Sequence, residues 1–435
     1  YYYPEKSEAG IDLFLEKLVQ ETEKEHEDIL EQADETDAMF GELYSWYLRN
    51  PEYRSRVQKL VQSAFAGKPK DIISQSVAKA LYGEVSPYSA TRLERFAACA
   101  FAHFLQYGMK LTERVEYEFK PMDMGNVMHE ALESFAEEVR KRGMKWTELT
   151  EQERNEIADR CLDNIVADYG NTVLKSSARN EYMIERTRRI LRRTVWALQK
   201  QLEQGEFQPE GFEVTFGGGR IDRVDIMEDQ NKVYVKVIDY KTGNTSFDLV
   251  YLYHGLQLQL MIYLDGALRV EQKKYPDKEI IPAGVFYYNI KDPMIQEKID
   301  ADVEAVSAGL MKELKMNGLV QADPELVYRM DSSLGSIPVT FNKDGSFRKN
   351  SSVADRTQFA VLGRYARTKI EKIRSSILEG DAEVSPYELG KKNACTYCPY
   401  MTVCGFDRRL SGYEFRRLKN FSDEELWKAF DREAE

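Results

Sequence analysis

FEVTFG (212–217), RIDRVDIM (220–227) and KVYVKVIDY (232–240) are three consecutive β-rich runs, and EDQN (228–231) supplies a turn between the last two. HGLQLQLMIYLDGAL (254–268) then shows helical spacing, and AGVFYYNI (283–290) is strand-like again. This strand–turn–strand–helix–strand unit predicts an α/β core. The surroundings read as helices: 7–82, 124–142, 147–204, and a stretch from about 295 that ends near Gly380. Ser86-Pro87 breaks the pattern, and Ser89 or Thr91 is placed to cap the helix that follows. The chain therefore divides into a helical segment over 1–85, a main domain over 86–410 and a helical tail over 411–435.

The β-rich runs carry charges where apolar residues are expected. Asp222 follows Gly219-Arg220-Ile221, and Asp239 and Lys241 sit in Ile238-Asp239-Tyr240-Lys241. A bare buried carboxylate is costly, so two on paired strands imply a shared cation, and a hard oxygen-preferring ion such as Mg²⁺ suits them. Asp239 and Lys241 are two apart and leave one face of their strand. An ammonium there can orient a water or offset charge at phosphorus. The same spacing also suits a surface salt pair, but Thr242-Gly243 ends the strand in a turn, as at a cleft. Asp225, three residues from Asp222, points to the other face. Gln259 and Tyr263 share one helix face and are placed to touch phosphate or to position the Asp239 strand.

Four histidines are present, and His129 stands in Gly-Asn-x-x-His-Glu at a helix start, a candidate metal ligand. His103 and His254 read as structural and His26 as a surface residue. Of five cysteines, Cys395, Cys398 and Cys404 form C-x₂-C-x₅-C. Three thiols so close imply soft-metal ligation, and the spacing suits zinc as well as an iron–sulfur cluster. Cys161 lies in an ordinary amphipathic helix, and Cys99 lies upstream of the β-rich runs.

The 435 residues carry a net charge of −12, with 43% hydrophobic and 31% charged residues. That suits a folded protein and excludes a simple polycation, though a local basic surface can act within about 8–10 Å at physiological salt. Arg179, Arg186, Arg188, Arg189, Arg192 and Arg193 form such a group, placed either for phosphate or for the acidic helices; Arg220 is also within reach of a phosphate. No apolar run long enough for a membrane helix occurs. Gly67-Lys68-Pro69 is not a P-loop, so ATP hydrolysis is not expected. The opening YYYPEKSEAG has neither an initiating Met nor a signal-peptide pattern, which points to a piece of a longer, cytoplasmic protein.

The order Gly125…His129, Gly219-Arg220-Ile221-Asp222, Ile238-Asp239-Tyr240-Lys241 and Gln259-Leu260-x-x-Tyr263 resembles the RecB-type branch of the PD-(D/E)xK nucleases. The resemblance implies a mixed central sheet, Mg²⁺ or Mn²⁺ held by His129, Asp222, Asp239 and the Tyr240 carbonyl, and Lys241 as the catalytic lysine supported by Gln259 and Tyr263. Ser89-Ala90-Thr91-Arg92-Leu93-Glu94-Arg95-Phe96 leading into Cys99, then Phe101, His103, Phe104, Leu105, Tyr107 and Gly108, is similar to the AddB family of helicase–nuclease subunits, with Ala100 where proline is usual. That similarity implies a [4Fe–4S] cluster on Cys99, Cys395, Cys398 and Cys404. It further implies an AddA-type helicase–nuclease partner, cleavage of the 5′-ended strand as DNA is unwound in double-strand-break repair, and a helicase-like region preceding residue 85. The alternatives are a DNA-end scaffold with an idle site and a zinc-stapled interaction protein.

Overall fold

The computed structural model describes residues 35–64, 72–83, 85–86, 89–112, 121–168, 177–217, 219–295, 302–410 and 412–434. The first helices are α1 (Glu35–Arg49), α2 (Pro51–Ala64), α3 (Gln75–Tyr82) and α4 (Ala90–Ala98). Then come α5 (Ala100–His103), α6 (Pro121–Lys141), α7 (Glu151–Asp168) and α8 (Ala178–Glu203). Three strands follow, β1 (Gln208–Phe216), β2 (Gly219–Asp229) and β3 (Lys232–Lys241), and then α9 (Leu249–Tyr253), α10 (Gln259–Lys274) and β4 (Glu279–Asn289). The order continues α11 (Val303–Glu313), β5 (Asn317–Gln321), α12 (Pro324–Met330), β6 (Val353–Ala354) and α13 (Arg356–Glu379). A small sheet of β7 (Tyr387–Leu389), β8 (Lys392–Asn393) and β9 (Arg416–Arg417), with α14 (Met401–Cys404) and α15 (Asp423–Ala434), ends the chain.

The main sheet has the order β1-β2-β3-β4-β5-β6. The β1/β2, β2/β3 and β4/β5 pairs are antiparallel, and β3/β4 and β5/β6 are parallel. The sheet is thus mixed, as expected. It is covered on both faces, which is why β3 and β4 are nearly continuous apolar runs. One face, with Ile238, Tyr240, Phe286 and Tyr288, packs on α6, α7 and α8. The other, with Val233, Val235, Val237 and Val285, packs on α10 and α13.

Several boundaries differ from the sequence reading. The helix expected over 254–268 starts only at Gln259, as α10, because Gly255 turns the chain at φ 77° after the short α9. The stretch read as wholly helical after about 295 contains β5 and β6. Their five and two residues are too short to set a period of their own and are held by long-range pairing. Ser89 occupies the N-cap of α4 without a side-chain cap bond, whereas Gly380 closes α13 in the left-handed conformation, φ 92°. Ala78, Tyr82 and Val85, and at the other end Leu426, Ala429 and Phe430, join the core beneath α13. Both ends of the main domain drawn over 86–410 therefore share its packing. Residues 7–34, including His26, lie outside the described residues.

Candidate active site

The site forms at the carboxyl end of β3, the usual location for ligands in open α/β sheets. Strand parity puts Asp239 and Lys241 on one face, and Lys241 Nζ lies 2.6 Å from Asp239 Oδ2. Asp222, on the neighbouring β2, accepts a 2.7 Å hydrogen bond from the Tyr240 N–H, which fixes its carboxylate against β3. Asp225 faces away. It is fully buried and neutralised by Arg223, 2.5 Å off, and Lys236, 3.0 Å off, so it belongs to the core. Arg223 is spent in that ion pair and is out of reach of substrate.

His129 reaches the site from α6. Its Nδ1 lies 3.4 Å from Asp222 Oδ2 and 3.5 Å from Glu213 Oε1. No motif in the sequence marks Glu213. It stands in β1 at φ 49°, a left-handed conformation that costs a side-chain-bearing residue about 1–3 kcal/mol. Its other oxygen is 2.5 Å from Arg220 Nε. That pair places Arg220, with its side chain 65% exposed, at the rim.

Among the described residues, one set of three candidate ligand atoms falls within 4.8 Å of one another, from His129, Glu213 and Asp222. Burial pushes the Asp222 carboxyl up to about 7, and the nearby Asp239 carboxylate adds to the shift. Burial also raises Asp239, against the Lys241 ammonium. Burial works to lower His129, but the Glu213 hydrogen bond and the Asp222 carboxylate outweigh it and raise the imidazole. Crowded, half-neutralised carboxylates with a histidine are the donor set that a divalent cation satisfies, so the residues present fit a metal.

Lys241 is held from three sides. Besides Asp239, its Nζ donates 2.7 Å to Gln259 Oε1 and sits 5.4 Å from the centre of the Tyr287 ring. Gln259 Nε2 in turn donates 2.9 Å to the Tyr263 hydroxyl. Gln259 and Tyr263 therefore position the lysine.

Glu94 on α4 lies behind them. Its Oε1 accepts from the N–H groups of Leu258 and Gln259, at 2.7 and 2.9 Å, and so caps the start of α10. Burial pushes this carboxyl up to about 7, against the two N–H donors and Lys241. Glu94 lies in the Ser89–Phe96 stretch of the resemblance, but nothing local shows this role, since its partners are 164 and 165 residues away. Glu94→Ala is expected to lower kcat for metal-dependent phosphodiester cleavage by roughly tenfold to a hundredfold with little change in KM, the usual cost of misplacing a catalytic group. Glu94→Gln keeps an acceptor oxygen and should recover most of the loss. Equal rates in wild type and Glu94→Ala would remove Glu94 from the supporting set.

The four expected cysteines meet in one pocket, lined also by Phe101, Tyr400 and Phe406. Cys99 follows α4 directly, and its thiol is raised by burial against the backbone N–H groups of Ala102, Ser385 and Phe101. Burial pushes Cys395 up to about 11, helped by Cys99, Cys398 and Cys404. Cys161 is buried in α7, apart from this group. His103 is buried among Tyr82, Phe96 and Tyr107, with its ring nitrogen 3.2 Å from Arg92 Nε. His254 caps α9, and its Nε2 contacts the Lys419 carbonyl.

A family model described as the PD-(D/E)XK nuclease superfamily matches residues 87–405. The chain is 41% identical over 425 residues to a protein from Lachnoclostridium phytofermentans named as a subunit of an ATP-dependent helicase/deoxyribonuclease, covering 92% of this chain and 36% of that protein. Proteins of the same name match from Thermoanaerobacter sp. (strain X514), 33% identical over 92% of this chain, and from Alkaliphilus metalliredigens, 34% identical over 91%. Each of those two is covered over 37% of its own length, so the chain spans little more than a third of these curated relatives.

Proposed function

The chain belongs to the PD-(D/E)XK nuclease superfamily, and from that premise we propose that it is a metal-dependent deoxyribonuclease that hydrolyses phosphodiester bonds in single-stranded or unwound DNA. The observation that carries this reading is the convergence of His129, Glu213 and Asp222, with Asp239 on the neighbouring strand paired to a lysine fixed by Gln259. His129, Glu213, Asp222 and Asp239, with the Tyr240 carbonyl, would hold Mg²⁺ or Mn²⁺. Bound there, the ion would lower the pKa of an attacking water and neutralise the phosphate. Lys241 supplies an ammonium that orients the water and offsets charge developing on phosphorus oxygens. Asp239 and Gln259 hold that ammonium in place, Tyr263 orients Gln259, and Arg220 at the rim meets the strand's phosphates.

The cysteine pocket supports a [4Fe–4S] cluster as a structural tie on Cys99, Cys395, Cys398 and Cys404. The relatives' name, a subunit of an ATP-dependent helicase/deoxyribonuclease, supports a helicase partner; an AddA-type partner and action on the 5′-ended strand in double-strand-break repair rest on the resemblance of the motifs. A scaffold with an idle site is the weaker reading, because an idle site has no need of buried like-charged carboxylates.

Cleavage of a labelled single strand with Mg²⁺ tests the proposal. Products should form in Mg²⁺ or Mn²⁺, disappear with chelator, and be lost in Asp222→Asn. No cleavage by wild type carrying its cluster, or equal cleavage by Asp222→Asn, would overturn it.

A further inference from the structure

Away from the carboxylates, a cleft of about 500 Å³ opens along α7 and α8. Arg154, Arg189, Arg192, Arg193 and Lys200 line it, with Trp196 beside them. Most of these cations have a nearby acid. Arg189 lies 2.6 Å and Arg193 3.6 Å from Asp292, Arg192 pairs with Asp159, and Lys200 lies 2.8 Å from Glu203. Arg154 differs. It is only 6% exposed. Its Nη1 donates 2.7 Å to Gln199 Oε1, and Gln199 is anchored by a 2.8 Å bond to the Leu149 carbonyl. Its Nε has no partner, and among the described residues no carboxylate forms an ion pair with it.

A guanidinium cannot escape burial by losing its proton. Glu151 and Glu203, which also line the cleft, act on Arg154 only from beyond ion-pair distance and offset part of its desolvation cost, and an anion entering from the cleft would offset more. The planar fork fits phosphate oxygens. Beside it, Arg193 sits 5.2 Å over the Trp196 ring, an aromatic–guanidinium surface of the kind on which bases stack. Asp292, which anchors Arg189 and Arg193, lies three residues beyond Asn289, and Asn289 pairs with Lys241 across β3 and β4. Three residues span at most about 10 Å, so one wall of the cleft is tethered to the sheet end that carries the lysine.

We propose that this cleft is a second binding site, which holds the phosphodiester backbone of a single DNA strand through Arg154 and Arg193 while the strand is engaged at the cutting site. The proposal rests on the nuclease reading above.

The test is equilibrium binding of a fluorescent single-stranded oligonucleotide to the whole chain, in chelator, at several salt concentrations. Arg154→Gln and Arg193→Gln are each expected to weaken binding about tenfold and to reduce the slope of log K against log salt by about 0.7 for each phosphate no longer neutralised. The oligonucleotide should quench tryptophan emission in wild type and much less in Trp196→Phe. Hydrolysis of bis(p-nitrophenyl) phosphate with Mn²⁺, a substrate too small to span both sites, should be unchanged in the variants. Arg193 is partly exposed, so its variant carries the test if Arg154→Gln fails to fold. Wild-type affinity and salt slope in Arg193→Gln would overturn the cleft while leaving the nuclease reading intact. Cleft-dependent binding by a chain that cuts nothing with any metal would overturn the nuclease reading alone.

Discussion

Asp239→Asn is expected to lower Mg²⁺-dependent cleavage of single-stranded DNA by about a thousandfold or more while leaving the fold intact. The size follows from the several kcal/mol that a well-held metal contributes to the transition state, at about 1.4 kcal/mol per factor of ten. The substitution removes a candidate ligand and also the anion that holds Lys241 at 2.6 Å. Asparagine is nearly isosteric, and it deletes a buried carboxylate that raises its neighbour Asp222. Metal-free melting temperature should therefore be equal to or above that of wild type.

The pH dependence has a definite sign. Asp222 titrates at about 7 in the folded state against 3.8 as a free side chain, so the folded state holds more protons between those values. Metal-free stability then falls as pH rises through that window and is lowest above it. Glu94, also pushed up to about 7, adds a slope of the same sign in every variant that retains it. Removing Asp239 eases Asp222, and Mg²⁺ replaces the proton, so either change should flatten the slope. Calorimetry across this range, with and without Mg²⁺, reads the difference. Identical slopes in wild type and Asp239→Asn would contradict the electrostatic account, and retained cleavage would remove Asp239 from the site.

Cys395→Ser has the second large expected effect, on stability. Cys99 and Cys395 are separated by 296 residues (395 minus 99). Chain statistics put the entropy of tethering so long a loop at about 6 kcal/mol. Wild type should carry about four irons and absorb visible light. Cys395→Ser and Cys99→Ser should lose both and melt well below wild type. Noncovalent ties also cross this seam. They include Phe101 N–H to the Glu383 carbonyl at 3.0 Å and the Tyr400 hydroxyl to the Leu111 carbonyl at 3.1 Å. Stoichiometric zinc in place of iron, or unchanged melting in both serine variants, would refute the cluster.

How much of this is legible in the sequence follows from where the information lies. β2, β3 and β4 are readable because each has enough β-rich residues to set its own period. Parity alone then separates Asp222 from Asp225 and joins Asp239 to Lys241. The Gln259–Tyr263 pair follows from helical spacing, although its action on Lys241 does not. Glu213 is hidden because parity fails at its left-handed backbone, and its partner His129 arrives from a helix 84 residues upstream (213 minus 129). β5 and β6 are hidden because strands so short exist through their neighbours. The arginines of α8 cannot be assigned from sequence, since whether a guanidinium meets an acid or a cleft depends on α7 and Asp292.

One short chain of contacts links the cysteine pocket to the carboxylate site. α4 ends at Cys99, carries Glu94, and through Glu94 grips the first turn of α10, whose Gln259 holds Lys241. If the proposed cluster is present, damage to the cysteine seam by oxidant or iron loss would be transmitted to the ammonium proposed to act in cutting. A corroded molecule would fail safe, falling silent instead of turning into a blunt and wandering blade.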